Sequence, residues 1–224
     1  MISLILPYWE RRVAADAAID LLARQYAGVD MEVIIVDDGN PIPFVAPKSP
    51  INIKVVRLPE KNVPKSPATA WNAGVAASCG DLIALSCIEI LHKAPVLEQM
   101  AEHVEHLGED GYVLAAAWCP DRREWHCHST VAVPDCPRGT GIAFLGMMHR
   151  ELFDRVGGFD EGYRDGAGYE DRDLIRKLCV AGAEFVIRDD LVVTHPKTGA
   201  TIHWPPEGFA RNAELFRSKW GACT

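Results

Sequence analysis

The run Met31-Glu32-Val33-Ile34-Ile35-Val36 feeds straight into Asp37-Asp38-Gly39-Asn40-Pro41, and no other stretch constrains the fold as much. A short, β-branched apolar segment with a turn behind it is the pattern of a strand buried on both faces of a parallel sheet. Parallel strands need crossover connections, usually helical and right-handed, and the chain supplies them. Ile2 to Leu6 is a first apolar run, ended by Pro7, and residues 13 to 26 carry Val13, Ala17, Leu21, Leu22 and Tyr26 at helical spacing before the Met31 strand. Residues 41 to 50 hold four prolines and read as an irregular loop.

The alternation continues. Ile53 to Leu58 reads as a third strand, Pro67 to Ala77 as a helix and Asp81 to Ser86 as a strand. Residues 95 to 107 read as a helix with Leu97, Met100, Val104 and Leu107 on one side, and Tyr112 to Trp118 as a strand. Gly141 to Met148 reads as a buried strand, and Arg150 to Val156 as a short helix closed by Gly157-Gly158. Glu184 to Ile187 and Leu191 to Thr194 read as two late strands, and Phe209 to Trp220 as a terminal helix. The predicted fold is α/β, a mostly parallel, Rossmann-like sheet flanked by helices. With 224 residues, 48% of them hydrophobic, one domain over 1–224 is expected.

Composition narrows the function classes. A net charge of -8 leaves no basic surplus to neutralise nucleic-acid phosphates. The first apolar run is too short for a signal sequence and no run of 18 apolar residues occurs, so a cytoplasmic protein without a transmembrane segment is expected. Seven scattered cysteines do not form the dense pattern of a secreted disulfide scaffold, so reduced thiols are expected. A homo-oligomer is compatible with this composition.

In open α/β sheets ligands bind beyond the carboxyl ends of the strands. Four such ends carry polar residues: Pro7-Tyr8-Trp9-Glu10, Asp37-Asp38-Gly39, Cys87-Ile88-Glu89 and Thr194-His195-Pro196-Lys197. A further acidic segment, Gly168-Tyr169-Glu170-Asp171-Arg172-Asp173, follows Gly157-Gly158-Phe159-Asp160-Glu161 and leads into Leu174, Ile175 and Leu178 at helical spacing. Acids at a helix start either cap the helix or, kept ionised by its dipole, take protons from a hydroxyl nucleophile. Asp37-Asp38-Gly39 reads equally as a structural turn.

The order of these motifs resembles the family 2 glycosyltransferases, which have the GT-A fold and transfer a sugar from a nucleotide diphosphate donor. The resemblance rests on Ser3 to Tyr8, Val33 to Gly39, Ala70-Trp71-Asn72-Ala73-Gly74, Gly80 to Leu85 and the Gly157 and Tyr169 segments, and it covers nearly the whole chain. It implies that Pro7, Tyr8 and Glu10 belong to the nucleotide-binding segment, with Pro7 and Tyr8 lining the base pocket. Asp37 and Asp38 join them, with Asp38 accepting from the base or ribose. Asn72 and Lys65 would lie near the diphosphate, although Asn72 reads equally as a cap or a bridge between loops. Asp171 would be the base of an inverting transfer, Glu170 would bind acceptor hydroxyls, Asp173 would be structural, and the donor would be a uridine diphosphate sugar.

The family's metal motif, two acids one residue apart, is altered here. Cys87 stands where an acid is usual and Glu89 where the last acid stands, leaving Glu89 and His195 as the expected ligands of Mn2+ or Mg2+. His195 reads also as a structural histidine, and Cys87 as a small buried apolar residue. A noncatalytic nucleotide-sugar-binding relative that has lost its metal site is the alternative. A nucleotidyltransferase is disfavoured, since Tyr8-Trp9-Glu10-Arg11 stands in place of a glycine-rich phosphate loop.

Residues 119 to 139 show little periodicity and read as a loop, a lid over the acceptor site. Cys119, His126, Cys127, His128 and Cys136 within it could instead hold zinc. Trp118 and Trp125 are either core residues or surfaces on which a sugar ring stacks.

Overall fold

The computed structural model describes residues 1–131, 144–196 and 206–221. Strands β1 (Ile2–Tyr8), β2 (Met31–Asp37), β3 (Asn52–Arg57) and β4 (Leu82–Ser86) lie parallel in the order β3-β2-β1-β4. β2 and β4 are buried from end to end and β1 almost so, as their unbroken apolar runs require, while β3 at the edge is half exposed. Tyr8 at the end of β1 sits level with Asp37 at the end of β2. The carboxyl ends of these strands therefore open onto one edge of the sheet.

Helices α1 (Arg12–Gln25), α2 (Ala68–Ala77) and α3 (Leu97–Leu107) make the crossovers. α2 lies directly against β1 and β2. Gly74 permits the approach, because a Cβ there would stand 2.4 Å from Ile5 and 2.9 Å from Val36.

The sheet then turns mixed. β5 (Gly111–Cys119) is followed by β6 (Glu124–Cys127), and β7 (Leu145–His149) inserts antiparallel between β4 and β5. β8 (Glu184–Thr194) adds parallel to β5. The two late strands expected from the sequence are one bulged strand. Ala115 pairs with Arg188 and Ala116 with Val192, so residues 189 to 191 loop out, and Asp189-Asp190 read as a turn although the ladder resumes beyond them. The expected loop from 119 is also corrected at its start, since β6 folds back on the end of β5 as a hairpin. Of the expected Gly141 strand, β7 is found from Leu145 onward; residues 141 to 143, like Cys136 and Lys197, lie outside the described residues.

α4 (Arg150–Arg155), a 3-10 turn (Glu161–Tyr163) and α5 (Glu170–Val180) follow, with Leu174, Ile175 and Leu178 buried as the spacing predicts. α6 (Pro206–Trp220) clamps the loop before α5. Its buried Asn212 donates to the carbonyls of Tyr163 and Gly168, and Gly166 packs so tightly beneath it that a Cβ would stand 2.1 Å from Asn212 Oδ1. Among the described residues no helix is long and apolar enough to cross a membrane.

Candidate active site

A cleft of about 220 Å³ opens beyond the ends of β1, β2 and β4, lined by Pro7, Tyr8, Trp9, Arg11, Asp38, Lys65, Trp71, Cys87, Ile88 and Glu89 among others. Three of the four polar strand ends picked out in the sequence meet here. Tyr8 is buried, edge-on to Phe44 at 4.6 Å, and burial raises its hydroxyl pKa. Asp38 lines the cleft with its carboxylate on Lys61 at 2.5 Å, yet burial outweighs that cation and raises its pKa.

Asp37 and Asp38 have different tasks. Asp37 is wholly buried and spends its oxygens on the backbone N–H groups of Asn40 and Phe44, the Asn40 amide and the Arg57 guanidinium. It builds the turn rather than facing the cleft. Burial alone would raise its pKa, but these donors together hold it below the usual range. Glu10 points its side chain to solvent; its backbone, at φ 53°, donates to Asn40 Oδ1 at 2.7 Å. Asn72 bridges loops: its amide donates to the Phe159 carbonyl and to Glu161, and its oxygen accepts from the Phe159 N–H. That bridge sets the Gly157-Gly158-Phe159 segment, with Phe159 stacked on Trp71 at 5.5 Å. Lys65 lines the cleft and pairs with Asp165 at 3.2 Å.

Glu170 and Asp171 stand behind Tyr169, a non-glycine residue in the left-handed region at φ 72°. Tyr169 offers no side-chain cap to this helix start, and Glu170, only 7% exposed, is not a surface cap. Ser66, between cleft residues Lys65 and Pro67, hydrogen-bonds Glu170. The charges of Glu170 and Asp171 also reach the Cys87 thiol in the cleft wall.

The helix dipole does not decide the charge state, as the sequence suggested it would; burial does. It pushes Glu170 up to about 8, with the Asp171 charge adding to the rise. Burial raises Asp171 too, opposed by the Arg172 backbone N–H, which Asp171 accepts at 2.7 Å, and by the Arg172 charge. Burial thus raises both carboxyls, and with Glu170 pushed to about 8 it is Glu170 that holds a proton near neutrality. A raised carboxyl pKa stabilises the fold fully below about 4.5, where Glu170 is protonated folded or unfolded, and that contribution is lost as pH rises towards about 8. The melting temperature should thus fall between pH 5 and pH 8, and Glu170→Gln should flatten the fall, as a pH series of thermal melts would show.

Glu89 and His195 do come together. The Leu91 and Thr194 backbones exchange hydrogen bonds of 2.8 and 3.0 Å, tying the turn after β4 to the end of β8. His195 Nε2 then lies 3.4 Å from Glu89 Oε1, and burial holds the imidazole neutral with its pKa lowered to about 4. A residue that sequence reasoning passed over changes the meaning of this pair. Arg11, half-buried just past β1, sets its guanidinium on the same Glu89 Oε1 that faces His195. Cys87 offers a soft thiol that burial pushes up to about 12. Among the described residues no three of His, Cys, Asp and Glu converge on a metal position. The residues present do not fit a divalent cation held by Glu89 and His195, because the oxygen they would share with it is already neutralised. The signal for Arg11 was its place, three residues past a strand end.

The zinc alternative is not assembled by its described members either. His126 turns to His195 at 2.9 Å, while His128 stacks on Trp125 and faces Asp189. Trp118 and Trp125 pack on each other edge-to-face at 4.9 Å.

Comparison with known proteins bears on the whole arrangement. The sequence profile described as glycosyl transferase family 2 matches residues 3–155, and one described as the N-terminal domain of galactosyltransferase matches residues 126–199. No curated protein sequence matches the chain. S. aureus TarS 1-349 in complex with UDP-GlcNAc superposes with a TM-score of 0.74 at 16% identity, over 97% of this chain and 66% of that one. The TarS 1-349 structure without a named ligand gives 0.70 at 15%, over 97% and 64%. The mannosyltransferase PcManGT from Pyrobaculum calidifontis, in complex with GDP-Man and Mn2+, gives 0.66 at 15%, over 96% and 64%. The chain thus spans about two thirds of the length of these structures, and what it shares with them is the fold, the GT-A arrangement of a mostly parallel sheet with its cleft at the strand ends. With the family profile running from β1 through α4, over more than half of its residues, the chain belongs to glycosyl transferase family 2.

Proposed function

We propose that residues 1–224 act as one catalytic domain, an inverting glycosyltransferase that moves a sugar from a uridine diphosphate donor onto a hydroxyl acceptor. The observation that carries this reading is the Glu170–Asp171 pair opening α5, with Glu170 buried and hydrogen-bonded to Ser66, whose charges reach Cys87 in the wall of a cleft that Tyr8 and Asp38 also line. The acceptor oxygen attacks the anomeric carbon on the face opposite the diphosphate. As the new carbon–oxygen bond forms, the bond to the phosphate oxygen breaks and its electron pair leaves with the nucleoside diphosphate. The acceptor proton passes to Asp171. Protonated Glu170 is a donor for a second acceptor hydroxyl. Pro7 and Tyr8 form the apolar side of the base pocket, and Asp38 accepts from base or ribose. No step runs through Mn2+ or Mg2+, since Arg11 stands on the Glu89 oxygen.

The UDP-GlcNAc and UDP complexes of TarS support a uridine donor on this fold. Free thiols at Cys79, Cys87, Cys119 and Cys127 support a reducing, cytoplasmic setting. A thermal-shift panel of nucleotide sugars tests the reading, because a ligand that binds only the folded state raises its melting point. A uridine diphosphate sugar should give the largest rise, and calorimetry should show UDP binding more tightly than GDP. Clearly tighter GDP binding would refute the uridine preference, and donor binding without turnover on any hydroxyl acceptor would favour a noncatalytic relative.

A further inference from the structure

A nucleoside diphosphate gains negative charge as it leaves, and a transferase must have positive charge or N–H donors waiting for it. The cleft wall behind β1 holds two such donors. Arg11 Nε and Trp9 Nε1 are both buried, and neither finds an acceptor among the described residues. Trp9 is only 9% exposed, and both residues line the cleft. A buried donor without an acceptor is costly, and the cost is explained where a ligand will bring the acceptor.

The backbone between them is held in an unusual shape. Glu10 sits at φ 53°, a region non-glycine residues rarely enter, and its N–H is fixed by Asn40 Oδ1 at 2.7 Å. Asn40 is pinned in turn to the Tyr8 carbonyl at 3.1 Å and to Asp37 at 2.7 Å. Asp37, which does not face the cleft, thus shapes the loop that brings Trp9 and Arg11 to it. One end of the Arg11 guanidinium rests on Glu89, which leaves its Nε edge for another acceptor. A planar guanidinium matches the oxygens of a phosphate with two parallel hydrogen bonds.

We propose that Arg11 and Trp9 form the seat for the donor's diphosphate, with the free Nε edge of the Arg11 guanidinium and the Trp9 indole N–H donating to its oxygens where a divalent cation would otherwise bind, so that this chain binds its donor without metal. Glu89 then orients Arg11 rather than ligating a cation. The proposal rests on the transferase reading above and specifies how its donor is held.

Calorimetry of UDP binding to the full chain, once in EDTA and once in Mn2+, tests it. The two dissociation constants should agree within about twofold. Arg11→Ala should weaken UDP binding about tenfold or more, the usual size of a lost charged hydrogen bond, and Arg11→Lys should recover part of it as a point charge. Trp9→Phe keeps the ring and removes the N–H; it should weaken binding about threefold to tenfold. Should Arg11→Ala melt far below wild type, the Trp9→Phe result decides. UDP binding that disappears in EDTA and returns with Mn2+ overturns the proposal and leaves the transferase reading intact, as does unchanged binding by both Arg11→Ala and Trp9→Phe. Wild-type protein that binds neither UDP nor GDP in either buffer overturns the transferase reading itself.

Discussion

Asp171→Asn is expected to lower turnover by about a hundredfold or more, the usual size of a lost general base, while UDP affinity stays near wild type. The substitution keeps the side chain's shape and its hydrogen bond from the Arg172 N–H but removes the site that takes the acceptor's proton. It also removes the charge that burial opposes, so the melting temperature should not fall. Glu170→Gln should act differently. Glu170 already holds a proton near neutrality, and glutamine can still donate, so the main change should appear as weaker acceptor binding, read as a raised acceptor KM. Steady-state kinetics on both variants separates the roles. Near-normal turnover for Asp171→Asn with none for Glu170→Gln would reverse them, and normal turnover for both would remove the pair from the chemistry.

Asp173→Ala should produce the largest loss of stability. Asp173 is completely buried, and one of its oxygens accepts from the Tyr163 hydroxyl at 3.2 Å, Lys219 Nζ at 2.5 Å and Trp220 Nε1 at 2.8 Å. It thereby ties α5 to the 3-10 turn and to the end of α6. Lys219 would keep Asp160 at 2.7 Å, but the Tyr163 hydroxyl and the Trp220 N–H would lose their acceptor, at a cost of about 1–3 kcal/mol each. For a protein of this size that corresponds to a melting temperature lower by about 10 °C. Because α6 also clamps the loop ahead of Glu170 through Asn212, turnover should fall along with stability. A drop under about 2 °C would mean that Asp173 does not hold α6 in place.

Much of the architecture was written locally. β1, β2 and β4 are unbroken apolar runs ended by polar turns, and covering both faces of such a run requires a parallel sheet with helical crossovers. The same logic placed ligands at the strand ends, and Tyr8, Asp38 and Glu89 are indeed gathered there. The late strands were harder, because Asp189-Asp190 has the composition of a turn and only pairing with β5 makes it a bulge. Asp37 and Asp38 are neighbours of one type, and nothing local distinguishes them. The fold does: one faces inward to Arg57 and Asn40, the other faces the cleft.

By itself, then, the sequence determined the strand and helix order, the strand ends at which polar residues collect, and the acidic segment opening α5, all of which depend on the spacing of near neighbours. Only the tertiary structure decided how those acids are charged and which groups compensate Glu89. A carboxyl pKa depends on the solvent excluded by distant segments, and Ser66, Cys87 and Glu170 approach one another only when the sheet closes. Likewise Arg11 and Glu89 belong to different strand ends, and β1 must lie beside β4 before one can neutralise the other.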